Sequence, residues 1–97
     1  MKSMKNTFNV GDLVISLAGR DKGKNFLVVK VEKNNAYLVD GKVRKVGNLK
    51  KKNIKHIKSV LVANLNDFAI KIQRGETVGN KRINRLIKAQ TQKIQED

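Results

Sequence analysis

The residues best suited to chemistry in this chain lie in a short segment between two apolar runs. Residues 19–24 read Gly-Arg-Asp-Lys-Gly-Lys, which places two glycines and three cations within six positions. Glycine permits backbone conformations and close approaches that a Cβ would block, so a hairpin loop of this composition suits binding of a phosphodiester backbone. We predict phosphate contacts from the cations, assisted by glycine N–H groups, at Gly19, Arg20, Lys22, Gly23 and Lys24.

A second concentration of positive charge follows later in the chain. Between Asp40 and Asp67 there is no acidic residue. Flexible cations at this density match the phosphates of a polyanion, and binding through them weakens steeply with added salt. We predict that this segment extends the surface of residues 19–24 and that a C-terminal helix adds a second contact. The cations of the extension are Lys42, Arg44, Lys45, Lys50, Lys51, Lys52 and Lys55, and those of the helix are Lys81, Arg82 and Arg85.

The chain offers little to catalysis or to metal binding. It has no cysteine, which excludes disulfides, thiol chemistry and cysteine-ligated zinc. Its one histidine, His56, has no cysteine or second histidine beside which to form a catalytic group or a metal site, and no serine pattern that indicates a nucleophile. Asp12, Asp21 and Asp40 are spaced as turn formers and not as paired acid and base carboxylates. We therefore predict no enzyme activity, no catalytic residue, no metal, no cofactor and no small-molecule substrate.

The bulk composition indicates a polyanionic partner. Twenty-two lysines and arginines oppose eight acidic residues over 97 positions, which gives a formal net charge of +14. A small domain needs only about 2–8 charges for solubility, so nucleic acid is the first candidate partner. An anionic membrane surface is disfavoured because the cations are not sorted onto an amphipathic helix with a large apolar face. An aromatic content of 4% also disfavours a stacking platform for single strands, and we expect Tyr37 to be structural.

The apolar pattern predicts a mainly β protein with a helical end. Residues 12–17 alternate, while residues 25–33 have a nearly continuous apolar centre, as in a bent strand that serves two faces. Further β-like runs occupy residues 36–39, 53–57 and 59–62. Short strands joined by glycine and asparagine turns are typical of a small SH3-like β-barrel. The predicted organisation is a flexible arm at 1–9, the barrel at 10–63 and a helical C-terminal appendage at 64–97.

Two elements are expected in the appendage. Residues 66–74 are compatible with a helix, capped by Asn66 or Asp67 and followed by Gly75, and also with a strand, because apolar residues there alternate. The second element is a helix capped by Thr77 or Asn80. Its apolar stripe is formed by Ile83, Leu86, Ile87 and Ile94, and Lys81, Arg82, Arg85 and Lys88 cover much of the remaining surface.

Residues 11–16, residues 19–24 and Val28 together resemble a KOW motif, which recurs in ribosomal proteins and transcription elongation factors. Phe26 stands where the usual motif has a further glycine. With residues 35–41, this departure makes the chain similar to the archaeal and eukaryotic large-subunit ribosomal protein group fourteen-e. Closer still are short bacterial KOW-domain RNA-binding proteins, which the chain resembles through the three segments 43–45, 50–57 and 75–88.

The resemblance covers residues 9 to about 90 and implies an SH3-like barrel, RNA as the ligand and association with the ribosome. We predict a cytoplasmic protein that binds structured RNA, with ribosomal RNA as the leading candidate. Recognition should rest on phosphate positions and RNA shape, because the chain has few side chains suited to reading base edges. One alternative is a KOW-type protein-interaction module for a transcription or translation factor, whose binding would resist moderate salt. A DNA binder that uses charge alone is a further alternative.

Overall fold

A computed structural model describes residues 8–42, 44–45, 47–60, 66–76 and 78–95, without the side chains of 66, 67 and 92–95. In this part of the chain, β-strands precede α-helices, and a 3-10 turn, Ile54–His56, joins the last two strands. The elements are β1 (Leu13–Ser16), β2 (Asn25–Glu32), β3 (Asn35–Val39), β4 (Lys50–Asn53), β5 (Ile57–Ser59), α1 (Asn66–Gln73) and α2 (Asn80–Gln95).

The strands form one antiparallel sheet in the order β4-β3-β2-β1-β5. The long strand β2 pairs with β1 over residues 25–27, where Leu27 lies opposite Leu13, and with β3 from Leu27 to Glu32. An irregularity between Val28 and Lys30 shifts the register against β3. The predicted mainly β class is confirmed. Among the described residues the sheet is not closed into a barrel, since β4 and β5 do not pair.

Apolar side chains cover both faces of the sheet, in two separate clusters. The inner core consists of Val14, Phe26, Val28, Ala36, Leu38 and Ile57. The outer core contains Leu13, Leu27 and Val39 from the sheet, packed against Phe68, Val78, Ile83 and Ile87 from the C-terminal region. Side chains alternate between the faces of a strand, so the continuous apolar run in β2 is explained by burial on both sides.

Residues 66–73 form helix α1, and the strand alternative is wrong. Phe68 is 3% exposed in the outer core, whereas Ile70 is 45% exposed, which is the outcome of helical spacing. The helix is followed by Gly75, whose φ is +80°. Its N–H donates to Ile72 O at 3.0 Å, and the N–H of Glu76 donates to Lys71 O at 2.9 Å, which is the Schellman pattern. The predicted caps lie outside the described side chains.

Helix α2 begins at Asn80, so the prediction that Asn80 caps it from outside is wrong. The N–H of Ile83 donates to Gly79 O at 3.1 Å, which gives Gly79 the position before the first turn. Thr77, the other predicted cap, lies outside the described residues. Of the predicted apolar stripe, Ile83 and Ile87 are buried and Leu86 is partly buried against the same cluster, while the side chain of Ile94 lies outside the described part. Gln90 is also buried on this stripe, which an apolar pattern does not predict.

Candidate nucleic-acid interface

The loop between β1 and β2 is held in shape by its own backbone. Gly19 and Gly23 have φ values of +86° and +88°, a region that favours glycine. The N–H groups of Lys22, Gly23 and Lys24 donate to carbonyl oxygens of Gly19, Ser16 and Asp21, at 3.2, 2.9 and 2.9 Å. The N–H of Gly23 is therefore already used inside the loop, and its contact with a phosphate stays a prediction that this bond does not favour. The side chains of Arg20, Lys22 and Lys24 are exposed.

Asp21 connects this loop to β4. Its carboxylate accepts a hydrogen bond from Ser16 Oγ at 2.7 Å and one from Lys52 Nζ at 2.6 Å. Lys52 Nζ also donates to Ala18 O at 2.6 Å, and Lys50 Nζ lies 3.5 Å from Asp21 Oδ2. The side chain of Lys52 is only 10% exposed. Its role as a phosphate contact stays a prediction that the structure does not favour, because the ammonium is already neutralised by Asp21 inside the protein.

The register of β4 explains why this strand supplies the partners of Asp21. Lys50 lies opposite Leu38 and Lys52 opposite Ala36, so both lysines project from the face that carries the inner core. Burial raises the pKa of Asp21, but hydrogen bonds from Lys52 and Ser16 and the charges of Lys52 and Lys50 outweigh it. The pKa falls from 3.8 to about 2. Asp21 is thus ionised throughout the physiological range.

Two adjoining clefts bring the predicted basic segments together. The first has a volume of about 180 Å³ and is lined by Arg20, Asp21, Lys24, Phe26, Asp40, Arg44 and Lys50. The second, of about 370 Å³, is lined by Lys24, Asn25, Asp40, Lys42, Asn84, Ile87, Lys88 and Thr91. Lys24 and Asp40 line both, so the two clefts adjoin, and together they are called here the basic groove. Residues 19–24 and 42–50 therefore share one surface.

Asp40 stands in the middle of the basic groove, where an unpartnered carboxylate would repel phosphate. Its Oδ1 accepts hydrogen bonds from the N–H groups of Lys42 and Arg44, at 2.8 and 2.9 Å. The backbone N–H of Asp40 donates in turn to Arg44 O at 2.9 Å. The carboxylate therefore acts as the turn former predicted from the sequence, and its negative charge is partly offset by two backbone dipoles.

The turn after β3 is docked on the first turns of α2. A Cβ on Gly41 would lie 2.3 Å from Asn80 O and 2.8 Å from the backbone nitrogen of Asn84, so only glycine fits between the two elements. Asn84 Nδ2 donates to Asp40 O at 3.3 Å. These contacts fix α2 beside the basic groove and make it one wall of the second cleft.

Several predicted site residues do not line the basic groove. Lys51 projects from the other face of β4 opposite Tyr37, whose ring centroid lies 5.5 Å from Lys30 Nζ. The N–H of Ile54 donates to Asn34 O, which places the neighbouring Lys55 beside the turn between β2 and β3. The other predicted contacts that are exposed and line neither cleft are Lys22, Lys45, Lys81, Arg82 and Arg85.

Sequence reasoning missed two contributors to the basic groove. Asp21 was predicted only as a turn former, although it orders both basic segments. Lys88 was seen as part of a basic helix surface but was not among the predicted contacts. The signal that identifies it is its spacing of four residues from Asn84, which puts the two on one side of α2.

In the described part of the chain, no three side chains of His, Cys, Asp or Glu come together to hold a metal. No described helix is both long and apolar enough to cross a membrane. No protein-family model matches the chain, and no curated protein matches it. The resemblance to KOW proteins therefore rests on the residues quoted from the sequence.

Proposed function

We propose that this protein binds RNA in the cytoplasm through the basic groove. Ribosomal RNA is the leading candidate ligand. The observation that carries the proposal is the meeting of cations from two separate segments in the basic groove, namely Arg20, Lys24, Lys42, Arg44 and Lys50. Both carboxylates that line the groove already accept internal hydrogen bonds. The groove therefore presents more unopposed positive than negative charge to a ligand.

A phosphodiester backbone is the partner that fits these features. Lysine and arginine side chains that line a channel neutralise successive phosphates and release condensed counterions. A chain with a formal net charge of +14 also attracts a polyanion over distances longer than a contact. The groove has few groups that read base edges, so recognition rests on phosphate positions and on the shape of a folded RNA.

The proposed fold is an SH3-like barrel of the KOW type. The strand order β4-β3-β2-β1-β5 with a 3-10 turn between β4 and β5 supports this proposal. The bond from Lys52 to Asp21 supports it too, since it spans from the edge strand β4 to the loop after β1. The resemblance of residues 11–24 to the KOW motif supplies the expectation of association with the ribosome.

Crosslinking and sequencing of bound RNA in cells tests the function. The test variant carries Lys24→Glu and Lys42→Glu, which reverse two charges in the basic groove. The matched control carries Lys33→Glu and Lys58→Glu, at two exposed lysines that line neither cleft. Each pair of reversals lowers the formal net charge from +14 to +10, so the two variants differ only in where the charge is lost.

The proposal predicts sharp crosslinks to one region of ribosomal RNA, which are lost in the groove variant and kept in the control. Equal loss in both variants would mean that the overall charge is responsible and not the basic groove. A diffuse RNA signal that neither variant changes would contradict RNA binding and favour the protein-interaction module.

A further inference from the structure

We propose that bound RNA continues from the sheet onto helix α2, where Lys88 contacts a backbone phosphate. This inference rests on the proposed function and adds to it a contact that was not expected from the sequence. The second cleft has Lys24 and Lys42 on its sheet side and Lys88 on its helix side. An RNA backbone that follows the basic groove therefore meets cations from both walls.

The side of α2 that faces the groove is defined by contacts. Asn84 donates to Asp40 O, and Asn84, Lys88 and Thr91 all line the second cleft. At about 100° per residue, Lys88 and Thr91 lie within about 40° of Asn84 around the helix axis. The Thr91 hydroxyl donates to Ile87 O at 2.9 Å, so it is used within the helix. Among the described side chains of α2, Lys88 is the cation that lines this wall.

The other described basic residues of α2 do not all share the direction of Lys88. Arg82 lies about 120–180° around the axis from Asn84, Lys88 and Thr91, so it faces away from the groove. Lys81 shares the ridge of Lys88 two turns earlier, and Arg85 lies between the two directions. Arg82 therefore offers a matched control for Lys88, because both are exposed cations on the same helix.

The packing of α2 fixes the position from which Lys88 reaches a phosphate. The turn at Gly41 is seated against the backbone of Asn80 and Asn84, and Ile83 and Ile87 are buried in the outer core. The helix is therefore fixed at both its first turn and its buried stripe, and the ammonium of Lys88 is carried one turn beyond Asn84 on a rigid support. A cation held in this way contacts phosphate at a lower entropic cost than one on a free tail.

The experiment measures RNA binding to the full chain against salt, with a fluorescein-labelled RNA stem-loop and a labelled oligouridylate as probes. Wild type is compared with Lys88→Gln, Arg82→Gln and Lys24→Gln between about 50 and 200 mM potassium chloride. Glutamine keeps good helix propensity, so both α2 variants are expected to fold, and circular dichroism checks this.

We expect Lys88→Gln to weaken binding about fivefold to tenfold at 0.1 M salt and to reduce the salt slope by about 0.7–0.9. Arg82→Gln should leave the slope unchanged. Equal effects of the two substitutions would overturn the inference in favour of a diffuse field. If Lys24→Gln weakens RNA binding and Lys88→Gln does not, the inference about Lys88 is overturned and the proposed function is kept. Failure of wild type to bind either probe would overturn both.

Discussion

Asp21 lies where the two basic segments meet, and its carboxylate organises both of them. It accepts hydrogen bonds from Ser16 and from Lys52, and Lys50 lies close to its second oxygen. If these partners were removed, the Asp21 carboxylate would be a poorly solvated charge, which would lower the stability of the folded protein. The arrangement keeps the loop after β1 against β4 while the neighbouring cations of the basic groove stay available for a ligand.

The first prediction concerns the pH dependence of stability. The pKa of Asp21 is about 2 in the folded protein, compared with 3.8 for an aspartate without these interactions, as in the unfolded chain. Because the unfolded chain takes up this proton more readily, the stabilisation is present above about pH 4 and is lost as the pH falls to about 2. Urea unfolding at a series of pH values should show a steeper acid loss in wild type than in Asp21→Asn, by at most about 2 kcal/mol.

Lys52→Met provides the companion measurement. At neutral pH this substitution should destabilise the protein, because it leaves Asp21 without its closest partner. Lys51→Met, at an exposed position on the same strand, should change the free energy of unfolding by no more than about 0.5 kcal/mol. Equal losses in both methionine variants, or parallel acid profiles of Asp21→Asn and wild type, would contradict the role given to the Asp21–Lys52 pair.

At the scale of elements, the placement of α2 depends on one glycine. Gly41 has a φ of +78° and lies against the helix backbone at Asn80 and Asn84. Its missing side chain allows the turn after β3 and the helix to meet, which creates one wall of the basic groove. The helix is amphipathic, and its buried stripe covers the outer face of the sheet. The element therefore contributes to the core and to the candidate site at once.

The second prediction tests this junction with two alanine substitutions. Gly41→Ala should destabilise the protein by about 2–5 kcal/mol, because it combines a strained φ with a Cβ in contact with backbone atoms. Gly75→Ala has a similar φ of +80°, but among the described residues beyond its chain neighbours no atom lies within 4 Å of the added Cβ, so it should cost only about 1–2 kcal/mol. Thermal or urea unfolding measures both. Similar losses would mean that strain alone matters and that the close approach to α2 does not.

At the scale of the whole molecule, the distribution of charge decides how binding responds to salt. Six cations of the described part of the chain line the basic groove, namely Arg20, Lys24, Lys42, Arg44, Lys50 and Lys88. Other cations lie outside it, among them Lys51 and Lys55. The net charge promotes encounter with a polyanion, whereas the groove determines which charges form contacts.

The third prediction follows from that count. If each groove cation neutralises one phosphate, the logarithm of the binding constant should fall with the logarithm of salt concentration with a slope of about −4 to −5. Fluorescence titration of the labelled RNA stem-loop at several salt concentrations measures it. A slope near zero would contradict phosphate-dominated binding and indicate an apolar protein interface instead.

Local features of this protein were predictable from the sequence. The alternation of residues 12–17 and the continuous apolar run of β2 predicted strands, and Gly75 predicted the end of α1. These predictions depend on neighbours a few residues apart, because strand and helix periods and turn conformations are local properties. The helix or strand ambiguity at residues 66–74 needed tertiary contacts, since only burial distinguishes Phe68 from Ile70.

The sequence by itself determined the mainly β class, the glycine turns and the excess of positive charge. The tertiary structure decided which cations are free to meet a ligand. Lys52 is removed from the surface by a bond to Asp21, 31 positions away, and Lys88 is added through the contact of Asn84 with Asp40, 44 positions away. Periodicity does not reveal such pairs, because two residues far apart in sequence meet only when the sheet and helix have packed.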